Sequence, residues 1–277
     1  MIMKYMNVIE TNKLTKTYGN NRGINELELK VLEGDFFGFI GPNGAGKSTT
    51  IRTLLGLIKP TDGSAKVLGF DIVIEKEKIL KNTGYLPSEI NFYNGMKVWD
   101  VIKYSLDLRG VKKYDKARSL SERLGVDLDK KVSELSLGNR KKVGIITAIA
   151  HSPNLLILDE PTSGLDPLMQ REFFNILNEE NKRGATIFLS SHILSEVQSN
   201  CKTAAFIKDG KIIMSDKVEN LEQTGTKKVV VKTKEETSEY LYRGEVNELI
   251  RGLAKKNIVD VSITEPSLEE IFMEYYE

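Results

Sequence analysis

GPNGAGKST, Gly41 to Thr49, decides the fold of this chain. Three glycines in nine residues suit neither a helix interior nor a strand. The residues before it, Asp35–Ile40 (DFFGFI), are mostly apolar and read as a short buried strand. After it, Thr49–Ile58 (TTIRTLLGLI) carries Ile51, Leu54, Leu55 and Ile58 at helical spacing. A glycine-rich turn therefore joins a strand to a helix. Gly41, Gly46, Lys47 and Ser48 occupy the fixed positions of G-x-x-x-x-G-K-[ST], with Pro42, Asn43, Gly44 and Ala45 between them and Thr49 following.

Such a loop wraps a phosphate chain in backbone N–H groups, which requires glycine's torsional freedom and close approach. The helix start adds unpaired donors and a positive dipole end. Lys47 supplies a full charge for β- and γ-phosphates. Ser48 offers a hydroxyl oxygen to Mg²⁺, a hard cation.

The chain has 277 residues and a formal net charge of +1, so bulk electrostatics predict no polyanionic partner and no nucleic acid is expected. The length accommodates one large domain, or one domain and a small one. The single cysteine, Cys201, excludes an internal disulfide and a cysteine-built zinc cluster, and reads as inert packing. The opening MIMKYMNVIE lacks the apolar run of a signal peptide. The apolar run Val143–Ala150 falls well short of the roughly eighteen residues a membrane helix needs.

Outward from the loop, Leu27, Leu29 and Val31 alternate as one half-exposed strand, and Ser64–Gly69 is a candidate strand after the turn cluster KPTDG. Val98–Arg109, Asp115–Leu124 and Leu137–Ala150 are predicted helices, so a helical subdomain of about residues 90–150 interrupts strand-rich flanks. Leu155–Leu158 is a continuous apolar run, as in a parallel strand buried on both faces, and ends in Asp159–Glu160. Asp166–Pro167 opens a helix that Gly184 can end. Thr186–Leu189 is another buried strand, and Asp209–Gly210 turns a hairpin. Beyond a linker at Thr224–Gly225–Thr226 come a Val-rich strand (Lys228–Thr233), a helix (Val246–Lys256) and an alternating strand (Val259, Val261, Ile263). A capping box, Ser267-x-x-Glu270, starts a last helix. Two domains are expected, 1–222 and a small α/β appendix at 223–277.

Asp159 and Glu160 stand at the C-terminal end of a buried strand, where open α/β sheets bind ligands. Asp159 suits Mg²⁺, directly or through water; Glu160 suits an attacking water. LLILDEPTSGLD (155–166), LSSH (189–192) and LSLGN (135–139) together resemble an ATP-binding cassette (ABC) ATPase over residues of about 10 to 215. The resemblance implies a P-loop NTPase, RecA-like α/β core with an antiparallel β subdomain and the inserted helical subdomain. It implies that Tyr18 stacks on adenine, Glu160 is the catalytic base and Asp166 lies in a loop facing an opposite subunit. It also implies that His192 touches the γ-phosphate and holds Glu160. Alone, His192 reads as a surface histidine. Ser136 and Gly138, with Asn139, start the Leu137–Ala150 helix; the resemblance implies that this helix points at the phosphate bound by another subunit, so that two cassettes would close head to tail on two ATP molecules.

Two positions depart from the family pattern. Leu137 and Asn139 replace a glycine and a glutamine of its signature, leaving Ser136 and Gly138 in place. In GYLPSE (84–89), Ser88 stands where the family keeps a glutamine that reaches Mg²⁺ and water. A serine is too short for that unaided, and Glu89 or an added water would have to substitute.

The C-terminal EPSLEEIFMEYYE (265–277) is similar to ABC-2-type exporter subunits of drug, antibiotic-peptide and polysaccharide systems. The resemblance then implies a peripheral subunit on the cytoplasmic membrane face. Its partners are a second cassette, identical or not, and a membrane-spanning permease. Phe92, Tyr93, Met96 and Trp99 either anchor that permease or fill the helical subdomain. A soluble ABC ATPase unrelated to transport and a regulatory ATP-binding subunit are the alternatives.

Overall fold

The computed structural model describes residues 6–19, 21–93, 95–222, 226–254, 257–266 and 270. In chain order these form β1 (Asn7–Tyr18), β2 (Asn21–Leu27), β3 (Lys30–Leu32), β4 (Phe36–Ile40), α1 (Lys47–Leu54), β5 (Asp62–Val67) and β6 (Phe70–Asp71). Next come α2 (Lys76–Asn82), β7 (Thr83–Leu86), α3 (Val98–Leu108), α4 (Asp115–Arg123), α5 (Leu137–Ile149) and β8 (Leu155–Asp159). They are followed by α6 (Pro167–Lys182), β9 (Thr186–Ser191), α7 (Leu194–Asn200), β10 (Thr203–Lys208), β11 (Lys211–Lys217) and α8 (Val218–Glu222). The remainder is β12 (Thr226–Thr233), β13 (Thr237–Arg243), α9 (Val246–Leu253) and β14 (Ile258–Thr264). Two compact units result, Met1–Ser215 and Asp216–Glu277.

The first unit is organised by a six-stranded sheet of order β11-β10-β4-β9-β8-β7. Its β4, β8 and β9 are buried at every residue, in keeping with the apolar runs Phe36–Ile40, Leu155–Leu158 and Ile187–Leu189 within them. Phe188 of β9 stacks on Phe37 of β4 at 5.5 Å and packs on Phe39 at 5.3 Å. Ile40 pairs with Ser191, and Asp159 with Ser190. Three parallel strand ends therefore stand side by side, with β9 between β4 and β8. That places Gly41, Glu160 and His192 at one edge.

The second sheet runs β2-β1-β5-β6, with β3 also on β1. Its core residues Leu14, Ile24 and Val67 join Ile51, Leu54 and Leu55 of the phosphate-loop helix and Phe37 and Phe39 of the parallel sheet in one cluster. Each such side chain contributes about 1.5–3 kcal/mol on burial. Leu27, Leu29 and Val31 are all buried, but the single strand predicted through them is two. The chain takes a positive φ at Glu26, and Thr11 bridges the break, its Oγ1 donating to Leu27 O at 2.6 Å and accepting from Leu29 N at 2.7 Å.

Helix α1 begins at Lys47 rather than Thr49 and stops at Leu54, short of Ile58, because Gly56 at φ +66° breaks it. Helices α3, α4 and α5 match the predicted spans to within a residue at each end. Arg118 of α4 lies 4.3 Å over the Trp99 ring and Tyr114 meets its edge at 5.7 Å, so Trp99 packs within the helical region. Tyr93 is exposed, and Phe92 and Met96 are half-buried.

In the second unit α9 packs Leu249 and Leu253 against Val229 and Val231 of a β13-β12-β14 sheet. Thr224, Gly225, Ser267 and residues 271–277, which carry the predicted linker, capping box and last helix, lie outside the described residues. Among the described residues no helix is long and apolar enough to cross a membrane.

Candidate active site

The phosphate loop leaves β4 at a position where only glycine fits. A Cβ on Gly41 would lie 2.4 Å from Ile207 O, and one on Gly46, at φ +108°, would lie 2.6 Å from Gly23 O. The loop is closed by Ala45 N donating to Pro42 O at 3.2 Å. It is also tied to the hairpin turn between β10 and β11. Gly210 N donates to Ala45 O at 2.9 Å, and Gly210 O accepts from Asn25 N at 2.8 Å.

A cleft of about 260 Å³ opens over this loop, lined by Tyr18, Gly23, Pro42, Asn43, Gly44, Gly46, Lys47, Ser48, Thr49 and Glu160. Tyr18 is half exposed, with Lys16 Nζ 5.3 Å over its ring. Gly23 was not singled out in the sequence, yet a Cβ there would meet Tyr18 Cε2 and Thr49 Cγ2, both at 3.0 Å. Its smallness lets the aromatic ring and the loop helix approach.

Lys47 is nearly buried. Its Nζ donates to Gly41 O at 2.6 Å and Pro42 O at 3.1 Å, and lies 3.2 Å from Glu160 Oε1. His192 Nδ1 is 3.4 Å from the same Oε1. Lys47, Glu160 and His192, distant in sequence, thus meet around one carboxylate oxygen. Glu160 is held at φ +47° by its own N–H, which donates to Ser190 O and Ser190 Oγ, both at 3.2 Å. Ser191 fixes the turn that carries His192: its Oγ donates to Glu196 Oε2 at 2.7 Å and accepts from Ile193 N at 2.9 Å.

Asp159 is fully buried. Its Oδ1 accepts from Ser190 Oγ at 2.7 Å, and its Oδ2 has no hydrogen-bond partner among the described residues. An orphaned buried carboxylate oxygen is costly unless a cation or water serves it. An unserved carboxylate oxygen is chemically suited to a divalent cation, as is the Ser48 hydroxyl, both being hard oxygen donors; Asp159 itself, like His192, is not among the residues lining the cleft.

Other predicted residues stand apart. Ser136 caps α5, its Oγ accepting from Asn139 N at 3.3 Å. Gly138 approaches Gly164 O so closely that a Cβ would sit 2.8 Å away. Asp166 caps α6 by accepting from Met169 N at 3.0 Å. Ser136, Gly138, Asn139 and Asp166 do not line the cleft of their own chain, nor does Ser88.

The sequence profile described as ABC transporter matches residues 24–163. The chain is 37% identical over 223 residues to the bacitracin transport ATP-binding protein BcrA of Bacillus licheniformis, across 79% of this chain and 73% of that one. It is 31% identical to YdbJ, an uncharacterised ABC transporter ATP-binding protein of Bacillus subtilis, across 92% of this chain and 86% of that one. Among solved structures, the ATP-binding subunit of an ABC transporter superposes with a TM-score of 0.72 at 27% identity, covering 78% of this chain and 92% of that one. A dimeric ATP-binding cassette bound to ADP and Pi shares the fold, with a TM-score of 0.70 at 22% identity over 76% of this chain and 98% of that one. With relatives matching over most of their length and a profile spanning the phosphate loop and both carboxylates, the chain belongs to the ABC transporter family, whose ATP-binding ATPase subunit it is.

Proposed function

We propose that this chain is the motor of an exporter of drugs or peptides, acting through a separate membrane-spanning subunit from the cytoplasmic face of the membrane. Similarity to a bacitracin transport ATP-binding protein supports the class of cargo. The observation that carries the chemistry is the meeting of Lys47 and His192 on Glu160 Oε1 beside the phosphate loop.

In this reading the loop amides from Gly41 to Thr49 and the Lys47 ammonium bind the phosphates, and Tyr18 stacks on the base. Glu160 takes the proton of the attacking water, and His192 fixes the Glu160 carboxylate and touches the γ-phosphate. A bound Mg²⁺ would supply positive charge at the phosphates, and the Ser48 hydroxyl and the Asp159 carboxylate would be the groups to hold it. Ser136, Gly138 and Asn139 face the nucleotide of a second cassette, identical or not, with Asp166 in the loop between the two subunits. The nucleotide then belongs to the interface, and its binding and dimerisation are linked free energies. Residues 223–277 form an accessory domain.

Replacing Glu160 by Gln removes the proton acceptor and leaves the phosphate contacts. Steady-state phosphate release is expected to fall by about 10²–10⁴-fold, with nucleotide affinity retained. Unchanged turnover would remove Glu160 as the base. Co-purification with a multi-span membrane protein tests the transport role.

A further inference from the structure

Ser88 departs from the family pattern in the segment that follows β7, whose Leu86 pairs with Leu158 beside the Asp159–Glu160 strand end. What holds that segment in place is its backbone. Lys141, one turn into the signature helix α5, is 3% exposed, and its Nζ donates to Ser88 O at 3.1 Å and Pro87 O at 3.4 Å. Three residues on, the same face of α5 carries Gly144. A Cβ there would lie 2.4 Å from Ile90 Cδ1 and 2.8 Å from Leu86 Cδ1, so the helix is notched to receive the residues on either side of Ser88. The segment is therefore fastened to the signature helix at two points, one polar and one apolar.

A buried ammonium is retained only where acceptors and opposite charge surround it. Here two carbonyls accept from it. Burial lowers its pKa, while the carboxylates of Asp159 and Glu160 oppose that fall. Lys141 thus feels the charge of both strand-end acids, from the helix whose first residues are proposed to sense another subunit's phosphate. We propose that Lys141 is a positioning residue, which fastens the Pro87–Ser88 backbone to the signature helix and so sets this segment against the Asp159–Glu160 strand end. The link makes any shift of the signature helix a shift of the Ser88 segment, without a glutamine side chain. The proposal rests on the ATPase reading for its effect on turnover, but its structural half stands alone.

The test uses the full chain and two readouts. Amide hydrogen exchange over residues 86–90 is measured without nucleotide, and phosphate release gives kcat and KM for ATP. Lys141→Met is expected to speed exchange in this segment and to lower kcat about tenfold, with KM for ATP within about twofold. Lys141→Arg, which keeps the charge and the donors, is expected to recover most of both. Gly144→Ala, which disturbs the second fastening and leaves the ammonium, is expected to speed the same exchange; should Lys141→Met fail to fold, Lys141→Gln, which removes the charge and keeps a donor, carries the test. Unchanged exchange over 86–90 in the folded variant, or turnover within twofold of the parent, overturns the proposal. A parent chain that releases no phosphate sinks the ATPase reading instead, and exchange then decides the role of Lys141.

Discussion

His151 follows the signature helix and is half-buried. Loss of water around it, and then the Arg109 charge, lower its pKa from the ordinary 6.5 to about 4. Between these values the unfolded chain carries a proton that the folded chain lacks. Stability is therefore complete above pH 6.5, falls as pH drops through that value, and stops falling from this source below about pH 4. His151→Gln is expected to flatten the decline of the melting temperature between about pH 6.5 and pH 4. Melting curves at three pH values across that window check it, and an unchanged slope would assign the acid sensitivity elsewhere. At this scale the sequence was informative where chemistry is local. Gly41, Gly46, Lys47 and Ser48 announce themselves by spacing. Ser190 does not: its hydroxyl serves Asp159 and Glu160 at once only because β8 and β9 are neighbours.

Helix α6 illustrates the element scale. Its start is written as Asp166–Pro167, and the structure shows the Asp166 carboxylate accepting from Met169 N. Asp166→Ala is expected to cost about 1 kcal/mol of stability in urea unfolding, whereas Asp166→Asn, an equally good cap, should cost little. Equal losses in the two variants would mean that the charge, not the cap, matters. Helices with one apolar face were legible in the same way. Strands with two half-exposed faces were not. The twelve-residue β1 (NVIETNKLTKTY) bulges at Lys13, which takes a positive φ, so its alternation breaks midway. The seven-residue β13 (TSEYLYR) has no buried residue to mark it. The split between β2 and β3 depends on the Thr11 hydroxyl, which no local pattern in residues 27–31 reveals.

For the whole molecule, the cleft over the phosphate loop is lined without Ser136, Gly138 or Asn139. Under the head-to-tail proposal a second chain must supply them. Specific ATPase activity is then expected to rise with protein concentration when the permease is absent, and to level off once dimers dominate. A flat dependence in protein shown to be monomeric by light scattering counts against completion by a second chain. The ordered set of motifs made the cassette legible from sequence. Spacing alone did not say that Ser136, Gly138 and Asn139 fall outside the chain's own cleft; their assignment to another subunit came from the resemblance, since spacing along the chain carries no record of which surface a helix end faces.

The Gly210 turn ties three parts of the chain together at one point: Ala45 of the loop, Asn25 of the antiparallel sheet, and the hairpin itself. Their mutual bracing leaves the amide cradle little freedom to collapse or unravel. An arriving triphosphate meets a receptacle already in shape, so little of its binding free energy is lost to ordering backbone; under the proposed reading, discrimination among nucleotides then falls to the exposed end of the cleft at Tyr18.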